Sequence, residues 1–297
     1  MKNDALIECV PNFSEGRDTS VLSAIRESIL STGDCELWDY SSDTDHNRSV
    51  FTLAGSPEAI EAAVLRFTAA AAELINMEKH TGVHPCIGAA DVIPFIPLRN
   101  VSMEDCIQLS EKVGQRIASE LNLPVYLYAQ SAKVPEHRRL ADIRRGGYVK
   151  LKKEIASVPE RAPDYGPKTL SSAGGVSIGA RDFLIAFNVF LDTDDVAKAR
   201  QIARTIRESS GGFAGVQAIG LKVNGLAQVS MNLLDYRKTS LKTVFQAISS
   251  EAEKLETQPA YSELIGMLPR AALDGTSPEA LLLRDFTKDR IIEEHMS

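Results

Sequence analysis

Apolar positions recur with two periods along the chain, and the switches between them outline a fold. Residues 57–77 place Ile60, Val64, Phe67, Ala71 and Leu74 on one helical face. Ser56 suits the cap of that helix and Pro57 its first position, where a missing N–H costs nothing. A helix ending near Lys79, with Gly82 as terminator, follows from this pattern. A second helix is predicted from Ser102, where Asp105 completes an approximate capping box, and it carries Ile107, Val113, Ile117 and Leu121. Val21, Ile25 and Ile29 mark an earlier helix stopped by Gly33. Strand-like runs lie between, at 5–10, 35–40, 49–55, 91–96 and 124–129. The first half therefore reads strand, helix, strand, strand, helix, strand, with an extra helix and strand behind it. That is the split order of a ferredoxin-like unit.

The second half repeats the order. A strand at 182–191 precedes a helix with Val196, Ile202 and Ile206 on one side. Two further strands meet at Asn224-Gly225, a pair that takes the positive φ angles of a type I′ turn. Thr239 suits the cap of a helix bearing Leu241, Val244, Ile248 and Leu255, and 262–268 supplies the closing strand. The fold class expected is α+β, with two tandem ferredoxin-like (βαββαβ) α/β-sandwich subdomains. The boundaries are 1–181 and 182–297, the second with a polar, helical surface tail beyond about 270. The joint at 157–181 holds three prolines and four glycines without helical periodicity, so it is expected to be loop. A loop of that length inside a compact chain is functional or disordered.

Composition narrows the function classes. A formal net charge of −7 makes the chain repel nucleic acid and anionic membranes, and an anionic ligand needs a local basic patch. No signal-peptide core and no run of 18 apolar residues occurs, so a cytoplasmic location is expected. The four cysteines form no CxxC pair, which argues against a disulfide framework or structural zinc.

The chemistry gathers in the first half. "HTGVHPCIGAADVIPFIP" carries His80 and His84 four residues apart. A zinc helix would need both rings on one uninterrupted face, but Gly82 stands between them and Pro85 disfavours helix at His84. No metal is expected. A loop histidine titrating near neutrality suits an acid or base, and a ring merely bonded to a carbonyl is the plainer alternative. Asn12, Ser14, Glu15 and Arg17 follow the first strand; Asp39, Asp43, Asp45, His46, Asn47 and Arg48 link two others. The basic run 136–153 is either a solvated helix face or an anion's landing place.

These strings resemble a known family. "LIECVPNFSEGRD", "HNRSVFTLAGSPE", "HTGVHPCIGAADVIPFIP", "PVYLYAQSA", "PDYGP", "GARDFLIAFNV" and "LAQVSMNLLD" are similar, in order from about residue 5 to 270, to glutamate formiminotransferase. The resemblance implies transfer of the formimino group of N-formimino-L-glutamate to N5 of tetrahydrofolate, the cosubstrate. It implies a folate cleft between two α/β subdomains and a homodimer. It makes His84 the catalytic acid–base and assigns folate binding to Gly166, Pro167, Lys168, Thr169, Leu170, Ser171, Ser172, Ala173, Gly174 and Gly175. Asn12, Glu15, Asn47, Arg48 and Asp91 join the substrate site through their places in matching motifs. Arg48, Arg138, Arg139 and Arg181 are the candidates for substrate carboxylates. Animal members carry a cyclodeaminase domain after this one, so the chain resembles the free-standing microbial form. The joint lacks the tryptophan of animal forms; Trp38 is the sole tryptophan. Formyl transfer between 5-formyltetrahydrofolate and glutamate, and folate binding without catalysis, are the alternatives.

Overall fold

The computed structural model describes residues 4–31, 33–82 and 85–296. The chain forms two compact units, residues 1–181 and 182–297.

In the first unit, chain order runs β1 (Leu6–Cys9), β2 (Asn12–Phe13), α1 (Thr19–Leu30), β3 (Cys35–Asp43), β4 (Arg48–Gly55), α2 (Pro57–Leu74), β5 (Ala90–Arg99), α3 (Met103–Leu121), β6 (Val125–Leu127), α4 (Leu140–Ile143), α5 (Gly147–Glu154) and β7 (Val176–Ala180). β1 and β2 are two pieces of one line, broken at Val10-Pro11 because proline has no N–H for the ladder. Both pieces pair antiparallel with β4 on one side and β5 on the other. β3 extends the sheet beyond β4, and β7 runs parallel to both β5 and β6 on the far side. The joint is therefore not loop throughout: its last residues form a fully buried strand.

Strand alternation sorts this sheet into two faces. Ile7, Cys9, Phe51 and Leu53 belong to the apolar core, where Phe13 meets Phe51 and Phe67 edge-on at 5.3 Å. The paired positions Glu8, Asn12, Arg48 and Thr52 share the opposite face with Ser177. Helix ends are fixed by local chemistry. Ser56 accepts the Ala59 N–H at 3.2 Å, and Ser102 with Asp105 forms the full capping box. α2 ends at Leu74 rather than near Lys79, because Ile75 and Met77 turn inward and the Met77 N–H is taken by the Ser172 carbonyl at 2.7 Å.

In the second unit, β8 (Ile185–Leu191), α6 (Val196–Ile206), β9 (Val216–Val223), β10 (Leu226–Leu233), α7 (Leu241–Lys254) and β11 (Pro259–Ile265) build one antiparallel sheet ordered β11-β8-β10-β9. Asn224 and Gly225 take φ of 51° and 80° at the β9–β10 turn. Three expectations change here. Ser240, not Thr239, caps α7 by accepting the Thr243 N–H, while Thr239 turns to the Ala214 carbonyl at 2.8 Å. The closing strand starts at Pro259. The tail is no surface helix: it makes short 3-10 turns, bonds backbone-to-backbone with Ser262 and Leu268, and buries Leu281, Ile291 and Ile292. Its apolar residues anchor it singly instead of lining one helical stripe.

No described helix is long and apolar enough to cross a membrane.

Candidate active site

Three loops of the first unit converge where β2 and β3 end and β5 begins, and a single buried amide ties two of them together. Asn47 sits in the β3–β4 turn at φ 49°, a left-handed geometry that asparagine tolerates. Its Oδ1 accepts the Gly16 N–H at 3.0 Å, and its Nδ2 donates to the Thr81 carbonyl at 3.1 Å. Those two partners fix which end of the amide is which. Nδ2 therefore also donates to Nδ1 of His80, 3.3 Å away. The other ring nitrogen of His80 carries the proton and donates a hydrogen bond to the Ser14 carbonyl, while burial holds the ring below the ordinary imidazole range. His80 is thereby a neutral, oriented prop.

The loop after β2 is closed on itself and on its neighbours. Glu15 Oε1 accepts the N–H groups of Gly16, Arg17 and Asp18 at 2.9, 2.7 and 2.9 Å. Ser14 donates to the Gly88 carbonyl at 2.7 Å. Two glycines make the convergence possible: a Cβ on Gly16 would stand 2.3 Å from the Asp43 carbonyl oxygen, and one on Gly82 would stand 2.4 Å from that of His46.

Charge collects beside these loops. Asp91, buried at the start of β5, accepts the Ile87 N–H at 2.6 Å through Oδ1 and forms an ion pair with buried Arg144 through Oδ2. Arg48 opens β4 nearby. Burial first, and repulsion from Arg144 second, lower its guanidinium to about 10, so it stays charged at neutral pH; Asp91 and Asp43 oppose that shift. Cys86 adjoins the group, with its thiol pushed up to about 11 by burial and by Asp91.

The last residues of the 166–175 segment, 173–175, run against the same place. Ala89 N–H donates to Ala173 carbonyl at 2.8 Å, and Gly175 N–H to Ile87 carbonyl at 3.0 Å. The chains approach so closely that a Cβ on Gly88 would lie 2.0 Å from the Gly175 oxygen, and one on Gly174 (φ 76°) would lie 2.2 Å from the Ile87 oxygen. Tyr148 donates to the Ser171 carbonyl at 3.0 Å. Ala173, Gly174 and Gly175 are buried, whereas Lys168, Thr169, Ser171 and Ser172 are exposed.

Glu15, Asn47, Arg48 and Asp91 thus come together with the stretch 87–89 and 171–175. Asn12 lies on the polar face of the sheet with its amide turned to the Val10 carbonyl at 3.1 Å. His84 lies outside the described residues. Among the described residues no group of three His, Cys, Asp or Glu side chains could hold a metal ion. Arg144 escaped sequence analysis because the basic run 136–153 is not one helix face. Arg138, Arg139 and Arg145 are exposed while Arg144, Tyr148 and Leu151 are buried. The same run includes His137, whose Nδ1 lies 2.9 Å from Asp164 of "PDYGP"; that carboxylate also accepts the Leu127 N–H at 2.8 Å and so anchors the start of the joint.

Comparison with known proteins fits this geometry. Residues 6–181 match the N-terminal subdomain of the formiminotransferase domain, and residues 186–278 match the formiminotransferase domain. The chain is 42% identical over 297 residues to a glutamate formimidoyltransferase of Thermoplasma acidophilum, covering 98% of this chain and 97% of that one. It is 40% identical over 295 residues to a glutamate formimidoyltransferase of Streptococcus pyogenes, covering 98% of each. Against the formimidoyltransferase-cyclodeaminase of Mus musculus it is 43% identical over 278 residues, covering 90% of this chain and 51% of the mouse protein.

Proposed function

This chain belongs to the formiminotransferase family, and from that premise we propose that it moves the formimino group of N-formimino-L-glutamate to N5 of tetrahydrofolate. The products are L-glutamate and 5-formiminotetrahydrofolate. The observation that carries this assignment is the backbone clasp between 87–89 and 173–175, which sets the end of the proposed folate segment against the strand entry that follows His84.

The reaction needs one proton moved. The N5 amine attacks the amidine-like carbon, a tetrahedral species forms, and N5 gives up a proton that the departing glutamate nitrogen must receive. His84 serves as base and then acid, a role worth roughly 10²–10⁴ in rate. His80 is already committed to Asn47 and Ser14, so the two histidines divide the work between support and proton transfer. Fixing both substrates against each other lowers the barrier further. We read both units as ferredoxin-like: the strand order fourth-first-third-second, seen in the β11-β8-β10-β9 sheet, supports that description.

Turnover of N-formimino-L-glutamate with tetrahydrofolate, followed as 5-formiminotetrahydrofolate, tests the proposal for the parent protein and His84→Ala. Product from the parent and a loss of about 10² or more in the variant are expected. Equal product from both would make His84 structural. Product only from 5-formyltetrahydrofolate plus glutamate would change the group carried, and light scattering would test the homodimer that the family implies.

A further inference from the structure

Two arginines stand around one buried carboxylate in the first unit. Arg144 pairs with Asp91, and both are buried. Arg48 senses the charge of both, so it lies within electrostatic reach of the same place. Asp43, the other carboxylate Arg48 senses, is engaged elsewhere: it contacts His46 Nδ1 at 2.8 Å and accepts the N–H groups of Asp45 and His46 at 2.8 Å each. Arg144 Nε is buried without a hydrogen-bond partner.

Burying an arginine donor without an acceptor costs stability, since the group gives up water and gains nothing. Like-charged guanidinium groups held together cost more. Such an arrangement is stabilised when an anion arrives, and planar N–H forks match a carboxylate. Asp91 acts here as a fixed counter-ion: its other oxygen is held by the Ile87 N–H, so it orients Arg144 without satisfying Nε.

We propose that Arg48 and Arg144 form a carboxylate subsite that holds the amino-acid substrate, with Asp91 positioning Arg144. The inference rests on the formiminotransferase assignment for the identity of that substrate. Two carboxylate sources exist in this chemistry, the glutamate moiety being transferred from and the glutamate tail of the folate. Asp91 opens the strand that follows the His84 segment, and Ile87, which holds Asp91, also bonds Gly175. We assign the subsite to the amino-acid carboxylate because, through Ile87, it adjoins residues that follow His84 closely in sequence, and the folate tail is the competing occupant that the test below distinguishes.

The test uses the full chain and two variants, Arg144→Lys and Arg48→Lys. Lysine keeps the charge and, at 144, a partner for Asp91, but it loses the fork. The KM for N-formimino-L-glutamate should rise about tenfold to a hundredfold, as expected for a lost charge-assisted pair. KM for tetrahydrofolate should stay within about twofold, and preference over N-formimino-L-glutamine should fall. A rise in the folate KM alone would place the folate tail here and overturn the assignment. Unchanged KM values in folded variants would also overturn it. Should Arg144→Lys fail to fold by circular dichroism, Arg48→Lys decides alone, since it leaves the Arg144–Asp91 pair intact. If the parent shows no transfer at all, the parent reaction is wrong. Calorimetric titration with L-glutamate then judges the subsite separately: binding that Arg48→Lys weakens supports it, and no binding to the parent overturns it.

Discussion

The side-chain amide of Asn47 holds the imidazole of His80 at 3.3 Å while its two other contacts, to Gly16 and Thr81, leave it no freedom to flip. One residue in a turn thus sets the tautomer of another 33 positions away. Asn47→Ala removes the donor that favours the neutral ring, so the His80 pKa should rise towards the ordinary value. Unfolding free energy should fall by about 1–3 kcal/mol, because buried partners are left unpaired. Histidine titration by NMR and urea unfolding measure the two effects.

Glu8 is buried on the polar face of the sheet, and burial raises its carboxyl to about 7, with Arg181 opposing. Between pH 4.5 and 7 the folded chain keeps a proton that the unfolded chain has released. Stability from this group therefore falls as pH rises through that window and levels off above it. Glu8→Gln should be more stable than the parent at pH 8, by up to about 3 kcal/mol, with the gain vanishing near pH 4.5. Thermal melts across that range check the crossing; a gain that grows towards acid would contradict it.

Gly174 and Gly88 face each other across a backbone contact with no room for a methyl group. Gly174→Ala also forces a non-glycine residue to φ 76°. Either alanine should destabilise the first unit by about 1–3 kcal/mol and weaken tetrahydrofolate binding. Gly225→Ala, at a turn with open space around it, serves as the control: strain there should cost about 1 kcal/mol and leave folate affinity unchanged. Fluorescence titration with tetrahydrofolate separates the cases.

Burial pushes all four thiols up, Cys86 to about 11, Cys35 and Cys106 to about 12, and Cys9 well above its ordinary value. The thiolate is the reactive form. Native protein at pH 7.5 should therefore react slowly with a disulfide reagent, half-buried Cys86 first, and denaturation should release four fast thiols. A fast-reacting native cysteine would contradict this arrangement.

Features written in neighbouring residues were legible before the structure. The capping box of Ser102 and Asp105 and the turn at Asn224-Gly225 depend on a few adjacent side chains, and both occur as expected. β7 was not legible, because Val176–Ala180 contains glycine and gains its strand identity from parallel partners that lie far away in sequence. The end of α2 escaped for a similar reason: Met77 finds its acceptor on Ser172. At the site, Asn47, Arg48 and Asp91 stood out within their motifs. Arg144 did not, since only the fold distinguishes a buried arginine from its solvated neighbours.

The glycine contact between 88 and 174–175 has a consequence for protein engineering. Exchanging the 166–175 stretch for that of another family member transplants only half of a matched pair, because its backbone is shaped to lie against 87–89. A chimera should work when both stretches travel together and should misassemble when either travels alone. The unit of exchange in this protein is a pair of segments some ninety residues apart, not a loop.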